Sequence, residues 1–175
     1  LEGARLRVPS IDFMAFFTFY HAWQHFLTSG VGWRQLCDLA MVLHTYHGQI
    51  NENKLKNDLE ALHLMKPWQA FGYLLVQYLG LPASEMPFHN PKMRRTPRLV
   101  YEYIMEEGNF GRDEKFKLKR PKGYLLRKAH AFVCILRDFF RMYKVFPSVA
   151  FSEMQTSLRQ GFIKINHDIS GNRKK

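Results

Sequence analysis

Helical periodicity between chain breakers is the feature that most constrains how this chain can fold. Between successive Gly and Pro residues, apolar side chains recur three and four positions apart, whereas period-2 alternation bounded by hairpin turns does not appear. Gly30, Gly48, Gly80 and Gly108 follow four such stretches, and glycine is a common residue at helix ends. The sequence therefore predicts an all-α fold, an irregular bundle of about seven helices.

Capping residues give the boundaries of these helices. Ser10 is a favoured N-cap, with Asp12 in the first turn where the helix dipole favours a carboxylate, and Asn51 is a second N-cap. Pro67 and Pro97 each suit a first helical position. The first predicted helix ends at about residue 28, and the third starts at Asn51. The other five span about 33–46, 68–79, 97–107, 124–146 and 147–165.

The first helix is apolar around most of its axis, which is typical of a helix at the centre of a bundle. With 175 residues, 46% of them hydrophobic, the chain has enough apolar surface for one helical domain over residues 1–165, followed by a loose tail at 166–175. Cys37 and Cys134 lie within apolar helical patterns and are predicted to be reduced core thiols, which favours the cytoplasm. No signal peptide and no initiating Met open the chain, so we expect it to be a piece of a longer protein.

The net charge of +11 suggests an anionic partner, although a solvated basic face kept for solubility explains it equally well. The basic residues cluster in the Pro-rich loop, the start of the fifth helix and the loop at 109–123. RNA, an anionic membrane surface or a polyanionic saccharide precursor would each satisfy this charge. The predicted basic surface comprises Lys92, Arg94, Arg95, Arg98, Lys115, Lys117, Lys119, Arg120 and Lys122.

Familiar catalytic motifs do not occur in this sequence. It has neither a phosphate-binding Gly-rich loop before Lys-Ser/Thr, nor HExxH, nor CxxC. Nucleotidyl transfer with two metal ions needs converging carboxylates, and the usual Asp-x-Asp is missing. His21 and His25 share a helix face, but without a third ligand we expect packed, hydrogen-bonded histidines and not a metal site. No catalytic, metal or cofactor site is predicted within the segment.

The turn from Gly30 to Gly32 should bring His25 near the start of the second helix, where Arg34 and Asp38 stand four residues apart. One interpretation is a surface salt bridge, worth about 0.3–0.5 kcal/mol. The other is an arginine oriented by Asp38 towards a phosphate, with backbone amides at the helix start adding to an anion site. Asn109, after Gly108, fits either a plain helix end or a further ligand contact.

The pattern His21-x3-His25-Phe26, followed by Gly30-Val31-Gly32 and an Arg-Gln-Leu-Cys-Asp run ending at Asp38, resembles a block of a bacterial family. This family is known as uncharacterised nucleotidyltransferases, often encoded with polysaccharide-biosynthesis genes. Further matching stretches are 70–72, 78–82 and 107–111, followed by a basic stretch and the helix start at 146–147, so that the resemblance covers roughly residues 8–165. Trp33 departs from the family, which usually has Leu there.

The resemblance implies a C-terminal helical domain that packs on an N-terminal nucleotidyltransferase domain, whose carboxylates would bind Mg²⁺ in the full-length protein if that protein is active. It also implies that a set of polar residues contacts a nucleotide or sugar phosphate. Two alternatives remain open: a non-catalytic basic module that binds anionic lipid, polysaccharide or nucleic acid, and a purely structural interaction domain. The predicted ligand contacts are His21, His25, Arg34, Gln35, Asp38 and Asn109.

Overall fold

The computed structural model describes residues 8–28, 30–107, 123–152 and 154–159. In these residues every regular element is a helix, which confirms the all-α prediction. A short 3-10 helix, Ala83–Glu85, lies between the fourth and fifth α-helices, and residues 147–152 and 154–159 are also helical. The α-helices are α1 (Ile11–Thr28), α2 (Trp33–Thr45), α3 (Glu52–Ala61), α4 (Met65–Leu79), α5 (Arg95–Glu107) and α6 (Tyr124–Val145).

The chain divides into two compact units, Leu1–Lys117 with α1 to α5 and Leu118–Lys175 with α6. The assignment of residues 1–165 to one domain stays a prediction. The tail at 166–175 and most of the loop at 109–123 lie outside the described residues. Within the described residues, no helix is both long enough and apolar enough to cross a membrane.

The predicted caps of α1 and α3 are confirmed, and a carboxylate joins them. Ser10 Oγ accepts a hydrogen bond from Phe13 N at 3.3 Å, and Asn51 Oδ1 accepts one from Lys54 N at 3.1 Å. Asp12 Oδ1 accepts from Asn51 N at 2.8 Å, and its Oδ2 lies 3.5 Å from Lys54 Nζ. The start of α1 is therefore fixed to the start of α3 through Asp12.

The two prolines expected at first helical positions lie two residues deeper, so those helix starts were predicted wrongly. α4 begins at Met65 and α5 at Arg95, which makes Pro67 and Pro97 third residues. The first intrahelical bond of α4 is donated by the residue after the proline, Trp68 N to Leu64 O at 2.9 Å. Because the N–H groups of the first turn have no intrahelical acceptor, a proline there removes no helix bond.

Aromatic rings meeting edge to face form the core of the first unit. Phe19 of α1 contacts Trp68 and Phe71 of α4, with ring centroids 5.1 and 5.8 Å apart. Phe26 meets the same Phe71 ring at 5.7 Å, and all four side chains are fully buried. The indole N–H of Trp68 donates to Pro87 O at 2.7 Å, which anchors the Pro-rich loop on α4. Large rings in this geometry combine burial of apolar area with favourable ring electrostatics.

The sequence predicts that α1 lies at the centre of a bundle, and one stripe of the helix departs from this prediction. Phe13 and Phe17 are each 51% exposed, and His21 is also exposed. α1 packs against α2 and α3, its buried ring Phe19 faces α4, and Phe26 meets a ring of α5, so its neighbours cover most of the helix and leave one stripe open. Periodicity shows that a helix is apolar all round, but the number of its neighbours depends on the arrangement of the other helices.

Cys37 is exposed and Cys134 is half-buried, and both thiols are free. The prediction of a core thiol at Cys37 was therefore wrong. α2 buries Leu36, Leu39 and Leu43, positions i, i+3 and i+7, which turns Cys37 towards solvent. Helical spacing alone favours a buried stripe of Leu36, Ala40, Leu43 and His44, but His44 is exposed and Leu39 is buried.

In the second unit, aromatic side chains join α6 to the helical residues that follow it. Phe139 and Tyr143 each meet Phe151 edge to face, with centroids 5.2 and 5.8 Å apart. α6 ends where Phe146 N donates to Met142 O at 2.8 Å, and Phe146 itself is buried.

Candidate functional site

The turn between α1 and α2 is a packed corner. Gly30, Val31 and Gly32 are buried, and Gly30 has a φ of +87° that few side chains would tolerate. Gly32 N donates to Gln35 Oε1 at 3.1 Å, so Gln35 satisfies one of the free amides at the start of α2. One amide at this helix start is therefore already occupied, and the anion site near Trp33 stays a prediction.

Arg34 and Asp38 lie on the outward side of α2, and both are exposed. The ion pairs between described residues do not include an Arg34–Asp38 pair. Within that part of the chain, the Arg34 guanidinium has no carboxylate oxygen within 4 Å and can turn towards a ligand. The idea that Asp38 orients Arg34 stays a prediction.

His21 and His25 lie at the C-terminal end of α1, beside the same corner. Their rings meet edge to face with centroids 4.6 Å apart, and His21 also stacks on Phe17 at 6.1 Å. His25 is half-buried in the last turn of α1, where the helix dipole favours a cation, whereas His21 is exposed and not the packed residue that we predicted. Among the described residues, no group of three or more His, Cys, Asp or Glu side chains could hold a metal ion.

Of the predicted contacts, His25 and Arg34 thus lie on adjoining helix ends, in the last turn of α1 and the first turn of α2. Asp38 is one turn further along α2, and Gln35 is used in the helix start itself. Asn109 lies outside the described residues.

The basic surface is described only in part. Lys92, Arg94, Arg95 and Arg98 are all exposed. Arg98 Nε is 2.9 Å from Glu102 Oε1, whereas Arg94 Nη1 donates to the neutral hydroxyl of Tyr73 at 3.0 Å. The other predicted members, Lys115, Lys117, Lys119, Arg120 and Lys122, lie outside the described residues.

An aromatic cluster next to Arg34 was missed by the sequence reasoning. Trp33 of α2 meets Tyr78 of α4 at 6.1 Å and Tyr101 of α5 at 5.9 Å, and the two tyrosines stack at 4.8 Å. Tyr78 is 52% exposed, so this cluster closes a gap between three helices and still reaches solvent. The three residues are 23 to 68 positions apart, too far for helical periodicity to connect them.

A groove of about 260 Å³ lies between α2 and the turn that follows α4, and it too was missed. At its edge, His44 Nδ1 donates to Glu85 Oε2 at 2.6 Å, since an ionised carboxylate can only accept. His47 Nδ1 donates in turn to His44 O at 2.8 Å. The groove is lined by Ala40, Met41, His44, Leu79, Gly80, Leu81 and Pro82.

Comparison with known proteins gives one similarity. A family model described as uncharacterised nucleotidyltransferase matches residues 1–80. Neither the curated proteins nor the solved structures that were compared with the chain gave a match. The matched region holds α1 to α4 and contains His21, His25, Arg34, Gln35 and Asp38, whereas the basic surface and the expected continuation to about residue 165 fall outside it. In this region the chain is similar to a nucleotidyltransferase family.

Proposed function

We propose that this chain is a substrate-binding helical part of a nucleotidyltransferase-like protein and works beside a separate catalytic domain. The observation that carries the proposal is the exposed guanidinium of Arg34, which has no carboxylate partner among the described residues. It lies in the first turn of α2, inside the region that resembles the family. Arginine binds the oxygens of phosphate in a planar, bidentate manner, and it stays charged at any physiological pH.

The open side of α1 supports the same proposal. Phe13, Phe17 and His21 follow one another at four-residue spacing, with neighbouring rings 5.5 and 6.1 Å apart, and all three are exposed. Aromatic side chains that form a continuous exposed stripe are typical of a surface that a partner covers. The catalytic domain would cover this stripe and place its substrate near the corner between α1 and α2.

Metal-ion chemistry is assigned to that catalytic domain. The described residues do not offer the set of carboxylates that Mg²⁺ needs, so no catalytic step is assigned to them. Arg34 would bind a phosphate of the nucleotide or sugar phosphate and thereby hold the substrate in position.

The test is isothermal titration of a nucleoside triphosphate into the complete protein and its variants. Arg34→Ala should weaken binding by about tenfold or more, because a charge-assisted hydrogen bond is lost. The affinity of Arg34→Lys should lie between those of the natural chain and Arg34→Ala, since lysine keeps the charge but not the bidentate geometry. The control is Lys56→Ala on α3, where an exposed lysine lies 3.9 Å from Glu60; its effect should stay within about twofold.

Since Arg34 is exposed and unpaired within the described residues, Arg34→Ala should leave the urea midpoint of unfolding unchanged. Normal nucleotide binding by a well-folded Arg34→Ala protein would rule out the role given to this residue.

A further inference from the structure

We infer a second binding site, for a phosphate monoester, around Tyr73 at the junction of α4 and the Pro-rich loop. It lies apart in sequence from the corner that holds Arg34, and it is built from Tyr73, His89 and Arg94. Arg94 Nη1 donates to the Tyr73 hydroxyl at 3.0 Å, and the His89 imidazole stacks on the Tyr73 ring with centroids 6.4 Å apart.

His89 carries the inference because one of its nitrogens is enclosed without a partner. Its Nδ1 is the only buried, unpaired polar side-chain atom among the described residues. A buried N–H without an acceptor is less tolerable than a buried lone pair without a donor, so the proton belongs on Nε2. The ring is only half-buried, and Nε2 is not among its enclosed atoms. His89 therefore presents a donor to solvent, which suits an anion.

The other two groups are donors as well. The Tyr73 oxygen accepts from Arg94, which leaves its own proton free to be donated to a ligand. Arg94 is exposed, and within the described residues it has no carboxylate partner, so its charge is not neutralised there. The phenol and the two donor groups beside it, without a carboxylate paired to them among the described residues, fit the oxygens of a phosphate group.

The backbone beside His89 adopts an energetically unfavourable conformation. Phe88, the preceding residue, has a φ of +59°, a conformation that residues with a side chain rarely adopt. The bond from Trp68 Nε1 to Pro87 O fixes the chain just before this turn. A strained residue next to an unpaired buried nitrogen is the combination that functional sites retain.

Local charge favours a monoester over a diester. Residues 86 to 97 include Lys92, Arg94 and Arg95 but no Asp or Glu, whereas Arg98 is already paired with Glu102. A monoester carries close to two negative charges near neutral pH, whereas a diester carries one, so the monoester gains more from this surplus.

The test is titration of inorganic phosphate, glucose 1-phosphate and dimethyl phosphate into the full chain. Binding is monitored through the backbone amide chemical shifts of residues 86–98. We expect saturable binding of the first two ligands in the millimolar range or tighter, and binding of dimethyl phosphate weaker by about fivefold or more. Arg94→Ala should weaken binding of phosphate by about tenfold, and Tyr73→Phe by about threefold.

The matched control is Arg98→Ala, an exposed arginine four residues further on that Glu102 already pairs. It should change phosphate binding by less than about twofold. If Arg98→Ala weakens binding as much as Arg94→Ala does, the attraction is diffuse and the site is disproved. Equal binding of dimethyl phosphate would also overturn the monoester assignment.

His89→Phe separates binding from structure. Phenylalanine keeps the ring stacked on Tyr73 but replaces the unpaired nitrogen with carbon, so the melting temperature should stay the same or rise while phosphate binding weakens. If His89→Phe binds phosphate as the natural chain does, His89 is not a ligand contact. Arg34→Ala should not affect these titrations, so this site and the proposed function can fail independently.

Discussion

The two sides of α1 are both rich in aromatic residues, yet they have opposite surroundings. On one side, Phe19 and Phe26 are fully buried against rings of α4. On the other, Phe13 and Phe17 are each 51% exposed and stack on one another along the helix at 5.5 Å. Composition is therefore no guide to which side stabilises the fold.

The same residue type can therefore serve two purposes on one helix. A buried Phe contributes free energy of folding through the area it removes from water and through close packing. An exposed Phe contributes little to folding but remains available to a partner.

The sharpest test compares Phe19→Ala with Phe17→Ala. Phe19→Ala should lower the free energy of unfolding by about 3–5 kcal/mol, because it leaves a cavity between Trp68 and Phe71. Phe17→Ala, two residues away, should cost less than about 1 kcal/mol because the ring is half in water already. Urea unfolding followed by tryptophan fluorescence measures both. Similar losses for the two variants would mean that the open side of α1 also stabilises this unit.

The close packing of the core that α1 and α4 share can be tested at Gly72 of α4. A Cβ added there would overlap the end of the buried Met86 side chain. Because alanine also gains helix propensity over glycine, Gly72→Ala should cost about 1–2 kcal/mol net. The double variant Gly72→Ala/Met86→Ala should lose less than the sum of the two single losses, because the new methyl group occupies space that Met86 leaves. Strict additivity in chemical denaturation would contradict this direct contact.

The smallest effect is expected at the start of α1, where Asp12 joins this helix to α3. Asp12→Ala should cost about 1 kcal/mol, the usual loss when a capping hydrogen bond is removed. Asp12→Asn should cost less, since its Oδ1 can still accept from Asn51 N while the attraction to Lys54 is lost. Thermal unfolding of the three proteins at one salt concentration provides the measurement. An equal loss for Asn and Ala would assign the effect to charge alone.

Sequence reasoning predicted the elements well because their signals are local. The N-caps at Ser10 and Asn51 and the helix end at Gly80 depend on residues within one turn, and all three are confirmed. It failed at Cys37 and His44, which lie on an apolar pattern but face solvent, because α2 is rotated to bury Leu39. Which of two overlapping stripes is buried depends on neighbours that are distant in sequence.

The candidate sites show the same limit. Arg34 could be predicted as a ligand contact because it stands beside a Gly-rich turn, in the stretch that resembles the nucleotidyltransferase family. By contrast, the bond between His44 and Glu85 spans 41 residues, and Tyr73 and Arg94 are 21 apart. A sequence pattern carries no distance between such residues, so neither contact could have been predicted from it.

The class of the fold, the positions of most helices and the excess of positive charge could be predicted, because each follows from local spacing or from composition. Only the tertiary structure decided which side of α1 is buried, that the Gly30–Gly32 turn is closed, and that Tyr73, His89 and Arg94 stand together. The physical reason is that burial and pairing are relations between helices, and they are fixed only when the helices pack.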